Sequence, residues 1–507
     1  MIPRWIIWVI LSLVVRLFLA MILELGNDEV YYATYARYPD WSHFDHPGMM
    51  GWLTTLLTVG EAHPSDLALR LLPLLCGTLN GVLVFALTKQ IHNTRAATHA
   101  LVLYTASFCG SVIAGVFLMP DAPQSTFWLA ALLLALRHLP GAGRPTWGVW
   151  TALGLCIAGA LMSKYHSVFL LLGIWCFVVF HARQHLAHVG FWWMNALAAA
   201  GMLPTLLWNQ SNSWISFAFH TERVNPSAGL RLDFFAQEIL GELGYQNPFV
   251  WFLTWAAVIF AVRRRSRVWR SPKVAMLLLT AVPLLAVFIG FSLFRRTLPH
   301  WTGPAYLTLL PLAGVLAAEW GRRGQRLVNF AVGCFALVVI VGTLHIRTGW
   351  LTPQAEVQDA PADVTLDLYG WSQAGDLWTA FADSSGLRPD QTVLCSPSWF
   401  PTAHIRHYLA ARTGAQTLAL GPLNEVHKFA WIHATEGLPS EESRCFLVTD
   451  SRNFQRAERW RAQHLPDTPW RSIGTIHRSG RPVKELFVLE MNRSPAPWIT
   501  TVPAMNH

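Results

Sequence analysis

Eleven apolar stretches, each near the length that crosses a lipid bilayer, constrain this chain more than any other feature. They fall at about 5–25, 67–88, 97–118, 122–138, 147–162, 166–181, 189–208, 247–262, 273–293, 301–319 and 327–346. In hydrocarbon no water is available to an unpaired amide, so such stretches must be helices that satisfy their own N–H and C=O groups. Only 13% of the residues are charged, about half the share in soluble domains, so lipid solvates most of the chain. A polytopic α-helical membrane protein with about 11 transmembrane helices follows for residues 1–346. Arg4 before the first stretch resembles a secretory signal, but the length of the run and the lack of a small-x-small site before Glu24 point to a retained helix.

The connections between these stretches carry an uneven charge. With strict alternation, 15 Lys and Arg residues fall on the side of the amino terminus and 6 on the other, and the richer side is the cytoplasmic one. The amino terminus is therefore expected inside, and the carboxyl terminus and the loop 25–66 outside. The net charge of +9 sits in the membrane half, where it sets orientation and does not call for nucleic acid.

Past residue 346 the composition turns polar. Short runs such as Thr392-Val393-Leu394-Cys395, Thr417-Leu418-Ala419-Leu420, Cys445-Phe446-Leu447-Val448-Thr449 and Leu486-Phe487-Val488-Leu489 alternate with helical stretches at 372–384 and 403–412. This pattern predicts a soluble C-terminal α/β domain over residues 347–507, on the outer face, that either recognises an acceptor or braces the loops. Five of the seven cysteines lie in the apolar stretches; Cys395 and Cys445 fall on predicted strands, and no spacing demands a disulfide.

The groups suited to chemistry gather on the outer side. Asp28 and Glu29 end the first span beside Tyr31 and Tyr32, where dehydration would let a carboxylate take a proton from an acceptor. An acidic pair also marks the water boundary of many helices. In the same loop, Asp45 and His46 precede an interfacial apolar stretch and offer either a divalent-cation site or headgroup anchors. Asp121 follows Pro120 in a tight turn, as a catalytic carboxylate or a helix cap. Lys164, Arg295, Arg296 and His300, with Tyr306 one or two turns later, place cations and donors on the side that the charge rule leaves poor. Such exceptions suit an anionic phosphate headgroup, although a snorkelling lysine would also satisfy the sequence. Arg16, in the middle of the first span, needs a partner among the other helices. The aromatic-rich segment 209–246 serves as a cover over a lipid-facing cavity or as an interface belt.

Taken in order, Asp28-Glu29-Val30-Tyr31-Tyr32, Phe44-Asp45-His46-Pro47, Pro120-Asp121-Ala122-Pro123, Ser163-Lys164-Tyr165, Trp208-Asn209 and Pro299-His300-Trp301 resemble bacterial integral-membrane glycosyltransferases. The group is the protein-mannosyltransferase-like one of the C-superfamily, to which the lipid A aminoarabinose transferase is related. The resemblance implies a glycosyltransferase that takes a sugar from a polyprenyl-phosphate donor to a lipid or glycan acceptor on the outer face of the bacterial inner membrane. It implies Asp28 as the catalytic carboxylate with Asp121 as its companion, and inversion at the anomeric carbon. Glu29, Tyr31, Tyr32, Asp45, His46, Lys164, Arg295, Arg296, His300 and Tyr306 then line the substrates. No cofactor is required beyond a divalent cation as an option, and the partners are the donor, the acceptor and membrane lipids, with no nucleic acid. One departure stands out: the aminoarabinose transferase has an acidic residue, a lysine and two prolines where this chain has Asp45-His46-Pro47-Gly48. His46 is titratable where the relative carries a permanent cation, which shifts phosphate contact toward Lys164, Arg295, Arg296 or His300. The alternative from another class is a transporter or flippase of a lipid-linked anion. That reading predicts paired repeats and broken midplane helices, whereas the polar clusters here sit in external connections.

Overall fold

The computed structural model describes residues 2–141, 143–224, 229–263, 268–352 and 363–502. Arg264, Arg265 and Arg267 of the basic connection after Val262 lie outside the described residues, as does most of the polar stretch after Thr352. Each of the eleven apolar stretches is largely helical, but 97–118 breaks after Ala106, resumes only as a short turn of π-helix over Cys109–Ile113 and is irregular beyond it. Among the described residues, five helices have by themselves the length and hydropathy of a span: Arg4–Ile22, Asp66–Ile91, Pro272–Ser292, Pro299–Glu319 and Arg322–Thr348. A sixth is the pair Leu232–Gln246 and Pro248–Val262, bent by 106°. The architecture is therefore a helical membrane fold with at least five spans, coarser than the expected eleven. Several of the other apolar helices are short, including Trp147–Ser163 and Val168–His181.

By packing, the chain divides into two units that cut across the sequence. The first comprises Met1–Ala20, Pro39–Leu57 and Leu67–Val339; the second comprises Met21–Tyr38, Thr58–Asp66 and Ile340–His507. A cut at residue 346 would leave the whole loop 25–66 with the membrane half, whereas its helix Asn27–Arg37 packs in the second unit.

In the first unit, small residues let helices approach closely, the usual device where lipid and core are equally apolar. A Cβ on Gly314 would lie 2.6 Å from that of Ala100, so helices Gly303–Glu319 and Thr94–Ala106 meet backbone to backbone there. Arg16 is buried and finds carbonyl and hydroxyl partners rather than a carboxylate. Its Nη1 donates to Gly77 O at 2.9 Å and its Nη2 to Thr78 Oγ1 at 3.3 Å. The break at Asn247 has a local cause. Pro248 has no N–H to continue the preceding helix, Asn247 adopts φ +72°, and its Nδ2 donates to Ala106 O and Ala331 O.

The second unit is built on a five-stranded sheet: β1 (Thr392–Pro397), β2 (Gln416–Leu420), β3 (Arg444–Asp450), β4 (Arg471–Arg478) and β5 (Arg481–Glu490). The order is β2-β1-β3-β5-β4, parallel through β2, β1 and β3 and antiparallel at β5 and β4. β1 and β3 are buried almost throughout, which accounts for their unbroken apolar runs. The sequence reading omits β4, whose Arg-Ser-Ile-Gly-Thr-Ile-His-Arg is polar because most of it is exposed or half-buried at the sheet edge. Ser479 and Gly480, at φ +51° and +77°, turn β4 into β5. Cys395 and Cys445 are free thiols buried in one apolar cluster.

Lys484 of β5 is fully buried, donating to Leu366 O at 3.0 Å and lying over the Trp371 ring. Burial pushes its pKa down to about 8, against the opposing pull of Asp450 at 4.0 Å. Unfolded, the lysine keeps its proton to about pH 10.4, so between these values the unfolded chain binds more protons and stability rises with pH. The melting temperature of the second unit, followed by tryptophan fluorescence, is expected to be higher at pH 9.5 than at pH 8. Lys484→Met should remove that rise; an unchanged slope in the variant would assign it to another group.

Candidate active site

In the first unit the site forms where several helices begin or end. Asp121 is the first residue of helix Asp121–His138, and Lys164 follows helix Trp147–Ser163 with extended backbone, φ −157° and ψ 134°. The lysine Nζ donates to both carboxylate oxygens of Asp121, at 2.9 and 2.8 Å, and both side chains are almost wholly buried. Burial pushes the Asp121 pKa up, but Lys164, His300 and His166 outweigh it and hold the carboxyl at about 2. The two imidazoles are delivered by short 3₁₀ turns, Tyr165–Ser167 and Pro299–Thr302. Asp121 is thus an ionised group neutralised by one lysine and faced by histidines, rather than a simple helix cap.

The loop Pro39 to Gly48 is cross-braced beside it. Trp208 Nε1 donates to Asp40 Oδ2, Trp52 Nε1 to Asp40 O, and Ser216 Oγ to His43 O. Gly48 admits no side chain, since a Cβ would lie 2.5 Å from Asp40 O. The brace sets His46 near Lys164 and Asp121. Burial pushes the His46 pKa down to about 3, with Lys164 and His220 acting the same way against the attraction of Asp45 and Asp121. His46 is accordingly neutral at physiological pH and does not replace a permanent cation. Asp45 presents its backbone carbonyl to His220 Nε2 at 2.9 Å. Among the described residues, no group of three or more His, Cys, Asp and Glu is arranged to hold a metal ion.

The segment expected to cover a cavity does bring its aromatics to this loop. Phe219 meets Phe44 at 4.6 Å, and Phe217 meets Tyr165 at 5.7 Å between ring centroids. It also carries residues that the sequence reading missed. Helix Leu232–Gln246 buries Glu238, Glu242 and Gln246, spaced four apart and so aligned on one face. Tyr306, expected to touch substrate, instead donates to Glu242 Oε2 at 2.8 Å, and Thr297 donates to Glu238 Oε2 at 2.7 Å. Cys109 interacts electrostatically with both Asp121 and Glu242. The four-residue spacing of Glu238, Glu242 and Gln246 is the available signal. Arg295 is half-buried and Arg296 exposed, and the cation in contact with Asp121 is Lys164.

The second unit holds the other predicted carboxylate. Asp28 is exposed in the first turn of helix Asn27–Arg37, not dehydrated against Tyr31 and Tyr32. Glu29 is buried and its Oε2 accepts from Gly26 N at 2.9 Å, which spends that carboxylate on capping the helix. Tyr31 and Tyr32 are buried, Tyr31 against Trp399 at 4.9 Å and His427 at 6.0 Å. The helix is mounted on the C-terminal sheet domain through its flanks. Leu25 N donates to Tyr408 Oη, Tyr408 Oη and His407 Nε2 meet Asp66, and Asn27 bridges His404 and Asp367. Glu24 accepts from Trp371 N and Ser372 N at the start of helix Trp371–Ser384. The domain that offered no motif is therefore the mount of the Asp28 helix.

Comparisons with known proteins bear on the family and the fold. The family described as dolichyl-phosphate-mannose-protein mannosyltransferase matches residues 45–208. The undecaprenyl phosphate-alpha-4-amino-4-deoxy-L-arabinose arabinosyl transferase of Pseudomonas aeruginosa is 24% identical over 436 residues, 77% of this chain and 74% of that one. The lipid A galacturonosyltransferase RgtD of Rhizobium johnstonii is 22% identical over 58% of this chain and 59% of its own length. The apo crystal structure of ArnT from Cupriavidus metallidurans superposes with a TM-score of 0.62 at 16% identity, covering 95% of this chain and 97% of that one, and shares the fold.

Proposed function

We propose that this chain, a relative of the aminoarabinose-transferase-like membrane glycosyltransferases, moves a sugar from a polyprenyl-phosphate donor to a lipid or glycan acceptor. The reaction takes place on the outer face of the inner membrane, with the amino terminus cytoplasmic and the sheet domain periplasmic. The observation that carries the reading is the buried Lys164–Asp121 pair faced by imidazoles, because a preorganised charged pair shielded from water is what a developing phosphate charge requires. The activities for which the two bacterial relatives are named, one on an undecaprenyl-phosphate sugar and one on lipid A, support the substrate classes.

In this mechanism Asp28 takes the proton of an acceptor hydroxyl, whose oxygen attacks the anomeric carbon and inverts it. The bond to the lipid phosphate breaks and the electron pair leaves with the phosphate. Lys164 stays fixed by Asp121, so its charge needs no rearrangement as the leaving group develops. Arg296 is exposed and, among the described residues, has no carboxylate in contact, which supports it as the cation that meets the intact donor. Arg296→Gln is expected to raise the donor KM roughly tenfold while the acceptor KM stays within twofold; equal changes in both would remove Arg296 from the donor site.

The decisive test uses purified protein in detergent, where no compartments exist. Incubation with an undecaprenyl-phosphate sugar and a lipid A acceptor is expected to give glycosylated product and free undecaprenyl phosphate in equal amounts. Lack of product across a panel of donors, together with donor movement across proteoliposomes, would favour the transporter.

A further inference from the structure

A second charged and aromatic groove lies at the other end of the first unit. It encloses about 570 Å³ between the start of helix Arg4–Ile22, the start of helix Thr94–Ala106 and the first turns of helix Arg322–Thr348. Volumes of this size suit a well-defined small ligand. The separation from the Asp121 cluster follows from helix direction. Thr94–Ala106 starts at the groove and leads toward Cys109, which adjoins Asp121 electrostatically, and its 13 residues span about 20 Å.

The lining is chemically divided. Trp5, Trp8, Val102 and Val328 supply an apolar wall, while Arg4 and Arg95 are exposed at the rim. Among the described residues neither arginine side chain has an ion pair or hydrogen bond, and cations left unpaired beside apolar surface favour an anion that itself carries apolar chains. His99 supplies an independent observation. It lines the groove at 4% exposure, its Nε2 meets Gln325 Oε1 at 3.0 Å, and its buried Nδ1 has no partner. Gln325 Nε2 donates to Asn329 Oδ1, so Gln325 Oε1 accepts from His99 and Nδ1 is left as an acceptor. A ligand that pairs its phosphate with the arginines and carries a hydroxyl donor would satisfy both ends. Tryptophans beside arginines are also the usual composition of the headgroup level of a bilayer.

We propose that this groove binds one anionic glycerophospholipid of the leaflet at the amino-terminal end, with its phosphate between Arg4 and Arg95, a headgroup hydroxyl on His99 Nδ1 and an acyl chain along Trp5 and Trp8. The site is independent of the sugar-transfer site and carries no chemistry.

The test is native mass spectrometry of the full-length protein from nanodiscs of either phosphatidylglycerol or phosphatidylcholine. One phosphatidylglycerol is expected to survive delipidation on the wild-type protein, and phosphatidylcholine is not. Arg95→Gln, which leaves Arg4 to set orientation, is expected to lower that occupancy at least fivefold. Asn329→Trp, at an exposed position on the groove wall, should do so without removing a charge. Arg144→Gln, an arginine of another connection on the same side, should leave the occupancy unchanged. Equal retention of the two lipids by the wild-type protein, or full phosphatidylglycerol occupancy in both groove variants, would overturn the proposal.

Discussion

Replacing Asp121 by asparagine is expected to lower sugar transfer at least a hundredfold and to destabilise the membrane half. The two effects have different causes. Lys164 would remain charged and buried with its partner gone, which costs about 3–5 kcal/mol when one half of a buried pair is removed. The loss of transfer follows because an unpinned ammonium no longer faces the departing phosphate with fixed geometry. The double variant Asp121→Asn with Lys164→Met separates them, since it removes both charges. It should recover most of the thermal stability of the detergent-solubilised protein while remaining inactive. A double variant that transfers sugar at near the native rate would make the pair a structural pin only. The acid dependence has a defined sign. With its folded pKa held at about 2, Asp121 contributes its pairing energy in full above the ordinary carboxylate pKa, and loses it only as pH falls through about 2. Any acid limb in the rate between pH 4 and 7 must then belong to another group.

Asp28→Asn should reduce the rate of transfer by about 10² to 10⁴, the range associated with loss of a general base. Its fold should be untouched, because Asp28 is exposed in a first helical turn where asparagine is well tolerated. Donor KM should change little, since the base acts on the acceptor hydroxyl. Measured against a matched level of inserted protein, unaltered transfer by Asp28→Asn would remove it from the reaction. Glu29 is the natural control: its carboxylate caps Gly26, so its replacement should lower thermal stability more than it lowers the rate at saturating substrate.

These two carboxylates differ in how far the sequence could characterise them. Each lies at a connection that the loop-charge rule assigns to the outer side, and ordered short motifs mark both. The local pattern predicts a dehydrated setting for Asp28 among Glu29, Tyr31 and Tyr32. Three and four residues on, the tyrosines do share its helix face, but they are buried while Asp28, in the first turn, is exposed. Asp121 presents the reverse case. Its candidate roles were cap or catalyst, and only the return of the chain 43 residues later, bringing Lys164 to 2.8 Å, made it one half of a buried ion pair.

What the sequence determined by itself was the local physics of lipid: apolar length, helical state, the asymmetry of loop charge, and an alternating strand and helix pattern after residue 346. Those properties depend on neighbours a few residues apart, and the helical state and the strand and helix pattern recur in the structure as helices and a mixed five-stranded sheet. Tertiary structure decided the partners. It paired Lys164 with Asp121, diverted Tyr306 to Glu242, left His46 neutral among other groups, and mounted the helix of Asp28 on a domain more than 300 residues away in sequence. The physical reason is that a buried polar or charged group must be satisfied wherever it ends up. The identity of the group that satisfies it is set by which helices and strands meet, and no local pattern encodes that meeting.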